Sequence, residues 1–297
     1  MCEDNKTAAE DGGIRQRYRL PRWEDVTIAN DVFFGIAMGH EDVCKLLLEC
    51  LLDLKIDRIE YIQKQKELSF SADGKAVRLD VYLKTGGRVI DVEMQVYRDT
   101  QVQRRIRYYQ SAIDTDQLLR GMNYKELPES LVVFICLTDP FGLGLPRYTF
   151  KTVCLERLGA RPAFDDGRTA VVFNCAAYDK LAGVCGDMLH YIKTRSVGSE
   201  RIQEFDSMIE DVKSLTYERG KFMFWSAKMM DFEYDKKQAE LRGREEGQAA
   251  ARLETARNLR RAGIADKTIA ECTGLTQEQV QAAFAAGDAA PGAKINS

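Results

Sequence analysis

The chain has 297 residues, 45% hydrophobic and 30% charged, with a net charge of −3 and a pI near 5.7. That supplies enough apolar surface for one large domain, or one domain plus an appendage, and weighs against a protein that coats nucleic acid. No apolar run is long enough to span a membrane, and Met1-Cys2-Glu3-Asp4-Asn5-Lys6 lacks the basic-then-oily order of a secretory leader, so a cytoplasmic location is expected.

Residues 1–22 are polar, contain glycine and read as poorly ordered. Val43, Leu46, Leu47, Cys50, Leu51 and Leu54 recur at helical spacing and predict a helix over Glu41 to Leu54, with Glu41, Lys45 and Glu49 on its polar face. Ile59 to Phe70 reads as a strand.

The stretch from Arg78 to Gln95 reads as a β-hairpin. Val77, Leu79, Val81 and Leu83 alternate with Arg78, Asp80, Tyr82 and Lys84, and Ile90, Val92, Met94 and Val96 alternate with Asp91, Glu93 and Gln95. Each strand is therefore expected to have one oily and one polar face. A two-residue loop on Gly86-Gly87, where both φ angles can be positive, sets Leu83 opposite Ile90, Val81 opposite Val92, Asp80 opposite Glu93 and Arg78 opposite Gln95. A three-residue loop would turn polar side chains toward oily ones, so the pattern selects the first register. Two carboxylates facing each other across a ladder repel, which calls for a cation, with Mg2+ or Mn2+ the natural candidates. A polar face open to water, where the repulsion is screened, accounts for the same pattern.

Val102, Ile106, Tyr109 and Ile113 mark the inward stripe of a helix over Val102 to Leu119, with Arg105 adjoining the stripe and Arg104, Arg107 and Tyr108 outward. Together with Arg98 these arginines form a basic cluster after the hairpin. Leu131 to Leu137 is an unbroken oily run, as expected of a strand buried on both faces in mid-sheet. Asp139-Pro140-Phe141-Gly142 forms a turn, and Ala170 to Cys175 adds a further strand. Amphipathic helices follow, one carrying Ile202, Phe205, Ile209, Val212 and Leu215, while Phe222, Met223, Phe224, Trp225, Met229 and Met230 read as packing material. Residues 236–261 are rich in charge and alanine and are broken by Gly243 and Gly247; two short helices then suggest a helix-turn-helix, with Thr276 and Gln279 as a capping box. The last helix offers Gln277, Glu278, Gln279 and Gln281 where a DNA-reading helix presents arginine, lysine or asparagine, which favours a protein-contact or oligomerising tail. Residues 286–297 read as disordered. The eight cysteines form no CxxC pair and are expected to be buried free thiols, not a zinc site or a disulfide framework.

The hairpin, followed by Arg104-Arg105-Ile106-Arg107-Tyr108-Tyr109-Gln110 and Gly121-Met122-Asn123-Tyr124-Lys125-Glu126-Leu127, resembles the Rpn family of recombination-promoting nucleases and transposases, in the PD-(D/E)XK nuclease superfamily. The resemblance runs from Asn30-Asp31-Val32-Phe33-Phe34 to Phe173-Asn174. It implies an α/β fold with a restriction-endonuclease-like αβββαβ core and a mixed central sheet, placed over 23–180; beyond it the residue pattern predicts a helical extension over 181–235 and a helical tail over 236–285. The resemblance also implies that Asp80 and Glu93 hold the metal, and that Gln95 stands where many superfamily members carry a lysine. Glutamine can orient water but brings no positive charge. Leu79 precedes Asp80, so the proline of the superfamily's name is absent. Asp31, Glu41 or Glu49 could add a further acid, although a solvated or capping role is expected of each. The arginine-rich helix of related nucleases borders the active site, which makes Arg104, Arg105, Arg107 and Tyr109 possible DNA contacts; a surface arginine and a core tyrosine are the plain alternatives. The implied function is a metal-dependent DNA endonuclease with weak sequence preference, linked to recombination or mobile elements, using Mg2+ or Mn2+ and no organic cofactor. The alternative is a non-catalytic DNA-binding or assembly protein descended from one.

Overall fold

The computed structural model describes residues 21–68, 77–157 and 165–285. The expected disorder of 1–20 and 286–297 lies outside those residues, as does Phe70. Two compact units divide the described chain, one ending at Ala227 and the other starting at Lys228.

The first unit is an α/β layer structure in αβββαβ order. Asn30 accepts a hydrogen bond from the Phe33 amide at 3.0 Å and so caps helix α1 (Asp31–Ala37), leaving Asp31 in its first turn. Helix α2 (Glu41–Leu52) stops two residues short of the expected Leu54, because Asp53 takes a left-handed conformation with φ of 53°. Strands β1 (Tyr61–Leu68), β2 (Val77–Thr85) and β3 (Arg88–Gln95) follow, then helix α3 (Val102–Gln117), which ends before the expected Leu119. Strands β4 (Glu129–Cys136), β5 (Arg147–Phe150) and β6 (Arg168–Asn174) complete a six-stranded sheet in the order β1-β2-β3-β4-β6-β5. β3, β4 and β6 run parallel, while β1, β2 and β5 join antiparallel, so the sheet is mixed as expected. The short edge strand β5 was not foreseen.

The oily run of β4 lies mid-sheet between β3 and β6, with Val132 to Cys136 buried. Helix α3 packs on one face of the sheet through Val102, Ile106 and Ile113, with Tyr109 partly buried against the same core and Arg104, Arg107 and Tyr108 exposed. The carboxylate of Asp139 ties the turn after β4, accepting from the Phe141 and Gly144 amides at 3.0 and 2.6 Å. The described cysteines are free; Cys44, Cys50, Cys136 and Cys175 are buried, whereas Cys154 and Cys272 are exposed.

Helices α4 (Val184–Thr194) and α5 (Glu200–Ser214) follow, then α6 (Thr216–Arg261). The packing reading of the aromatic stretch needs correction: Phe222 is buried against Trp23 at 5.2 Å, but Met223, Phe224 and Trp225 are largely exposed. Helix α6 also runs without interruption through Gly243 and Gly247, where a break was expected. A glycine costs a helix about 1 kcal/mol relative to alanine, a penalty that many helical neighbours outweigh. In the second unit, Ala256 of α6 packs with Ile269 of α7 (Asp266–Thr273) and Val280 of α8 (Gln277–Ala285). The capping box is present: the Gln279 amide donates to Thr276 Oγ1 at 3.1 Å, and the Thr276 amide donates to Gln279 Oε1 at 2.9 Å. Among the described residues no helix is long and apolar enough to cross a membrane.

Candidate active site

The site begins as a fault in a β-ladder. Gly86 and Gly87, with φ of 53° and 74°, make the two-residue turn, and β2 pairs with β3 from Thr85↔Arg88 through Leu83↔Ile90 to Val81↔Val92. The ladder stops there, one pair short of the expected Asp80 and Glu93. In its place the Asp80 amide donates to Glu93 Oε1 at 2.9 Å, and the Met94 amide donates to Asp80 Oδ2 at 3.2 Å. Each acid thus accepts from a backbone amide of the other strand at the point where the regular pairing ends. β2 remains anchored on its other edge to β1, and β3 to β4 as far as Gln95↔Cys136.

This fork is not the polar, water-facing surface that strict alternation implied. Glu93 is 2% exposed and Asp91, on the same face of β3, is 0% exposed, so the strand is buried on both faces. Burial raises the pKa of Asp80 and that of Glu93; repulsion from Asp80 pushes Glu93 further, and repulsion from Asp31 does the same to Asp80. Asp91 lies well above the ordinary carboxylate range through burial and then through the charges of Glu93 and Asp80, and neither of its oxygens has a hydrogen-bond partner among the described residues.

Two arginines act on these acids: Arg78 of β2 electrostatically on Asp80 and Glu93, and Arg105 of α3 through a direct hydrogen bond to Glu93. Its Nη2 donates to Glu93 Oε2 at 2.9 Å and to Tyr109 Oη at 3.0 Å, while its Nη1 donates to Gln95 Oε1 at 2.6 Å and to Asp99 Oδ2 at 3.0 Å. The guanidinium also lies 4.9 Å from the Phe134 ring centroid. The far side of the Gln95 amide donates to the Tyr97 carbonyl at 2.8 Å. The fold therefore brings Asp80, Glu93, Gln95, Arg105 and Tyr109 together and leaves Arg104 and Arg107 on the exposed face of α3.

Of the candidate extra acids, Glu41 accepts from the Ile59 amide at 3.3 Å, and Glu49 accepts from the Ile56 amide at 3.0 Å and from Arg201 at 2.7 Å; both tie down the chain after α2. Asp31 is different. The cap is Asn30, and Asp31 acts electrostatically on Asp80, its own pKa raised by burial and lowered in part by Arg78.

Residues 30–153 match the family model described as PD-(D/E)XK nuclease family transposase. This segment, under half of the chain, is similar to that family. The matched span runs from the cap of α1 past β5 and contains every residue of the fork. No curated protein and no solved structure matches the chain. The match supports a nuclease- or transposase-related function for this segment, and its α/β fold is consistent with that.

Sequence reasoning missed Asp91 and Asp99 in this domain. Asp91 was within reach, since it lies two residues from Glu93 on the same strand face. Asp99 carried no such signal: it follows β3, where the Gln101 amide donates to its Oδ1 at 2.7 Å, and only the fold brings its other oxygen to Arg105.

Proposed function

We propose that this protein is a metal-dependent DNA endonuclease whose centre is the fork between β2 and β3. The observation that carries the reading is the pair of carboxylates, buried Glu93 and half-buried Asp80, that meet each other's backbone at the point where the β2–β3 pairing ends. Burying like charges side by side is unfavourable unless a cation joins them.

The donor set fits a hard divalent ion. The side chains at the fork offer carboxylate oxygens, and Asp80 Oδ1 makes no hydrogen bond among the described residues. No group of three histidine, cysteine or acidic residues gathers there as a metal cage among the described residues. Two carboxylates completed by water and substrate phosphate is the usual pattern for Mg2+. Asp80 and Glu93 would hold one or two ions of Mg2+ or Mn2+, which when bound lower the pKa of a water and offset the charge growing on the scissile phosphate. Gln95, fixed between Arg105 and the Tyr97 carbonyl, is assigned the orientation of the attacking water. Arg104, Arg107 and Arg98 would meet the sugar-phosphate backbone, which predicts weak sequence preference and strong salt dependence. The tail is read as a self-association element, because α8 presents glutamines and a glutamate where base-reading side chains would stand.

The test is nicking of supercoiled plasmid with Mg2+, Mn2+ or EDTA, beside Asp80→Ala and Glu93→Ala variants checked by circular dichroism. Metal-dependent nicking that both variants lose supports the reading. A folded wild type that binds DNA without nicking it in either metal would sink it in favour of the DNA-binding or assembly alternative.

A further inference from the structure

Arg105 shares these acids with Arg78 and bonds to only some of them. Asp80 raises the pKa of Glu93 and both raise that of Asp91, Arg78 lowers those of Asp80 and Glu93, and the guanidinium of Arg105 bonds to Glu93 and to Asp99. Its contact with Glu93 uses Oε2, the one Glu93 oxygen not already bonded to the Asp80 amide. A divalent ion held by Glu93 would compete for that oxygen, and two cations on one carboxylate repel each other.

The remaining contacts of Arg105 do not depend on Glu93. Gln95 Oε1, Asp99 Oδ2 and Tyr109 Oη each accept from the guanidinium, and the rings of Phe134 and Tyr109 lie beneath it with centroids 4.9 and 5.3 Å away. Losing the Glu93 bond therefore frees one donor and leaves the group in place. Its side chain is 30% exposed, so the freed edge can meet a ligand from solvent.

We infer that Arg105 is an exchangeable counter-ion of this site: it holds Glu93 until a divalent ion takes the carboxylate, and then, still anchored by Gln95, Asp99 and Tyr109, it turns the freed N–H toward the substrate phosphate. The inference rests on the metal-dependent reading above. It makes Arg105 a sensor of metal loading, so that the phosphate-binding donor becomes available only after the ion is in place. An N–H group on a fixed, planar guanidinium suits a phosphate oxygen.

The experiment is Mn2+ titration calorimetry on the full chain in its wild-type form and as Arg105→Gln, Arg105→Lys, Arg104→Gln and Asp80→Ala. Removing a competitor should tighten Mn2+ binding in Arg105→Gln by about tenfold, within the usual range of coupling between two sites. Arg105→Lys should stay near wild type, and so should Arg104→Gln, whose arginine is on the same helix but faces outward. Equal or weaker Mn2+ affinity in folded Arg105→Gln, with wild-type binding intact and lost in Asp80→Ala, overturns the exchange and leaves the metal reading standing. Absence of saturable binding in the wild type overturns both. Should Arg105→Gln fail to fold, the guanidinium NMR resonance of Arg105 in the wild type, assigned by its loss in Arg105→Lys, gives the answer. It should move as Mg2+ saturates the site, and a stationary resonance overturns the proposal.

Discussion

Helix α3 has a polar cluster at each end, and the two are built on opposite rules. Toward its C-terminus every acid has its own base: Arg168 donates to Asp114 Oδ2 through Nε and Nη2 at 3.1 and 2.6 Å, and Lys66 donates to Asp116 Oδ2 at 2.6 Å. Gln117 and the hydroxyl of buried Tyr82 complete that network, with Lys66 3.8 Å from the Tyr82 ring centroid. Toward its N-terminus the match is looser: Arg105 bonds to Glu93 and Asp99, Arg78 acts electrostatically on Asp80 and Glu93, and Asp91 has no hydrogen-bond partner among the described residues. The first cluster is complete as folded and needs nothing from outside. The second has acids without a bonded base among the described residues, and on the metal-dependent reading proposed above that is where the cation would bind.

The largest effect should come from removing an acid of the second cluster. Asp80→Ala is expected to lower nicking at least about a hundredfold, as loss of a charge-stabilising group does in other active sites, with thermal melting little lowered or even raised. Lys66→Ala should do the reverse. It leaves Asp116 without its cation in a partly buried setting, which costs about 1–3 kcal/mol, while nicking per folded molecule remains at the wild-type level. The pair of measurements breaks the comparison if Lys66→Ala abolishes cleavage at full stability.

A smaller effect should appear in the pH dependence of stability, measured in EDTA. The pKa of Asp91 is raised in the folded state by burial and by the neighbouring charges of Glu93 and Asp80. Its favourable contribution is therefore fully present below the unfolded pKa and is lost as pH rises through the folded one. Asp91→Asn carries no such proton. The difference in unfolding free energy between variant and wild type should shift in favour of the variant from pH 5 toward pH 9; a difference that stays flat over that range would show that Asp91 does not titrate on unfolding.

Much of this was legible in the sequence, for reasons that differ along the chain. The hairpin was readable because the Gly86-Gly87 turn fixes one register and the alternation tolerates no other. The mid-sheet strand was readable from an apolar run, and the inward face of α3 from Val102, Ile106 and Ile113. The end of the regular pairing before Asp80 was not, since alternation describes which way a side chain points and says nothing of whether the backbone opposite keeps its bond. Burial of Asp91 and Glu93 was hidden for a related reason: a polar residue at a polar-face position looks solvated until a second layer covers it. Gly243 and Gly247 misled in the opposite direction, because a local penalty was weighed without the helix on either side.

The smallest effect sharpens the contrast on the outer surface of α3. Arg104 and Arg107 lie exposed beside the acid-rich end, form no ion pair among the described residues, and are free to meet phosphates; Arg168, at the matched end, is committed to Asp114. Replacing either Arg104 or Arg107 with alanine should leave melting unchanged and weaken DNA binding by the same factor on any sequence. If each meets one phosphate, the slope of log affinity against log salt should flatten by about 0.9 per arginine removed. The Arg168→Ala variant should lose stability and keep the slope. A slope unaltered by loss of both Arg104 and Arg107 would move the DNA track off this helix and onto another face of the domain, while leaving the acid fork and its metal test as they stand.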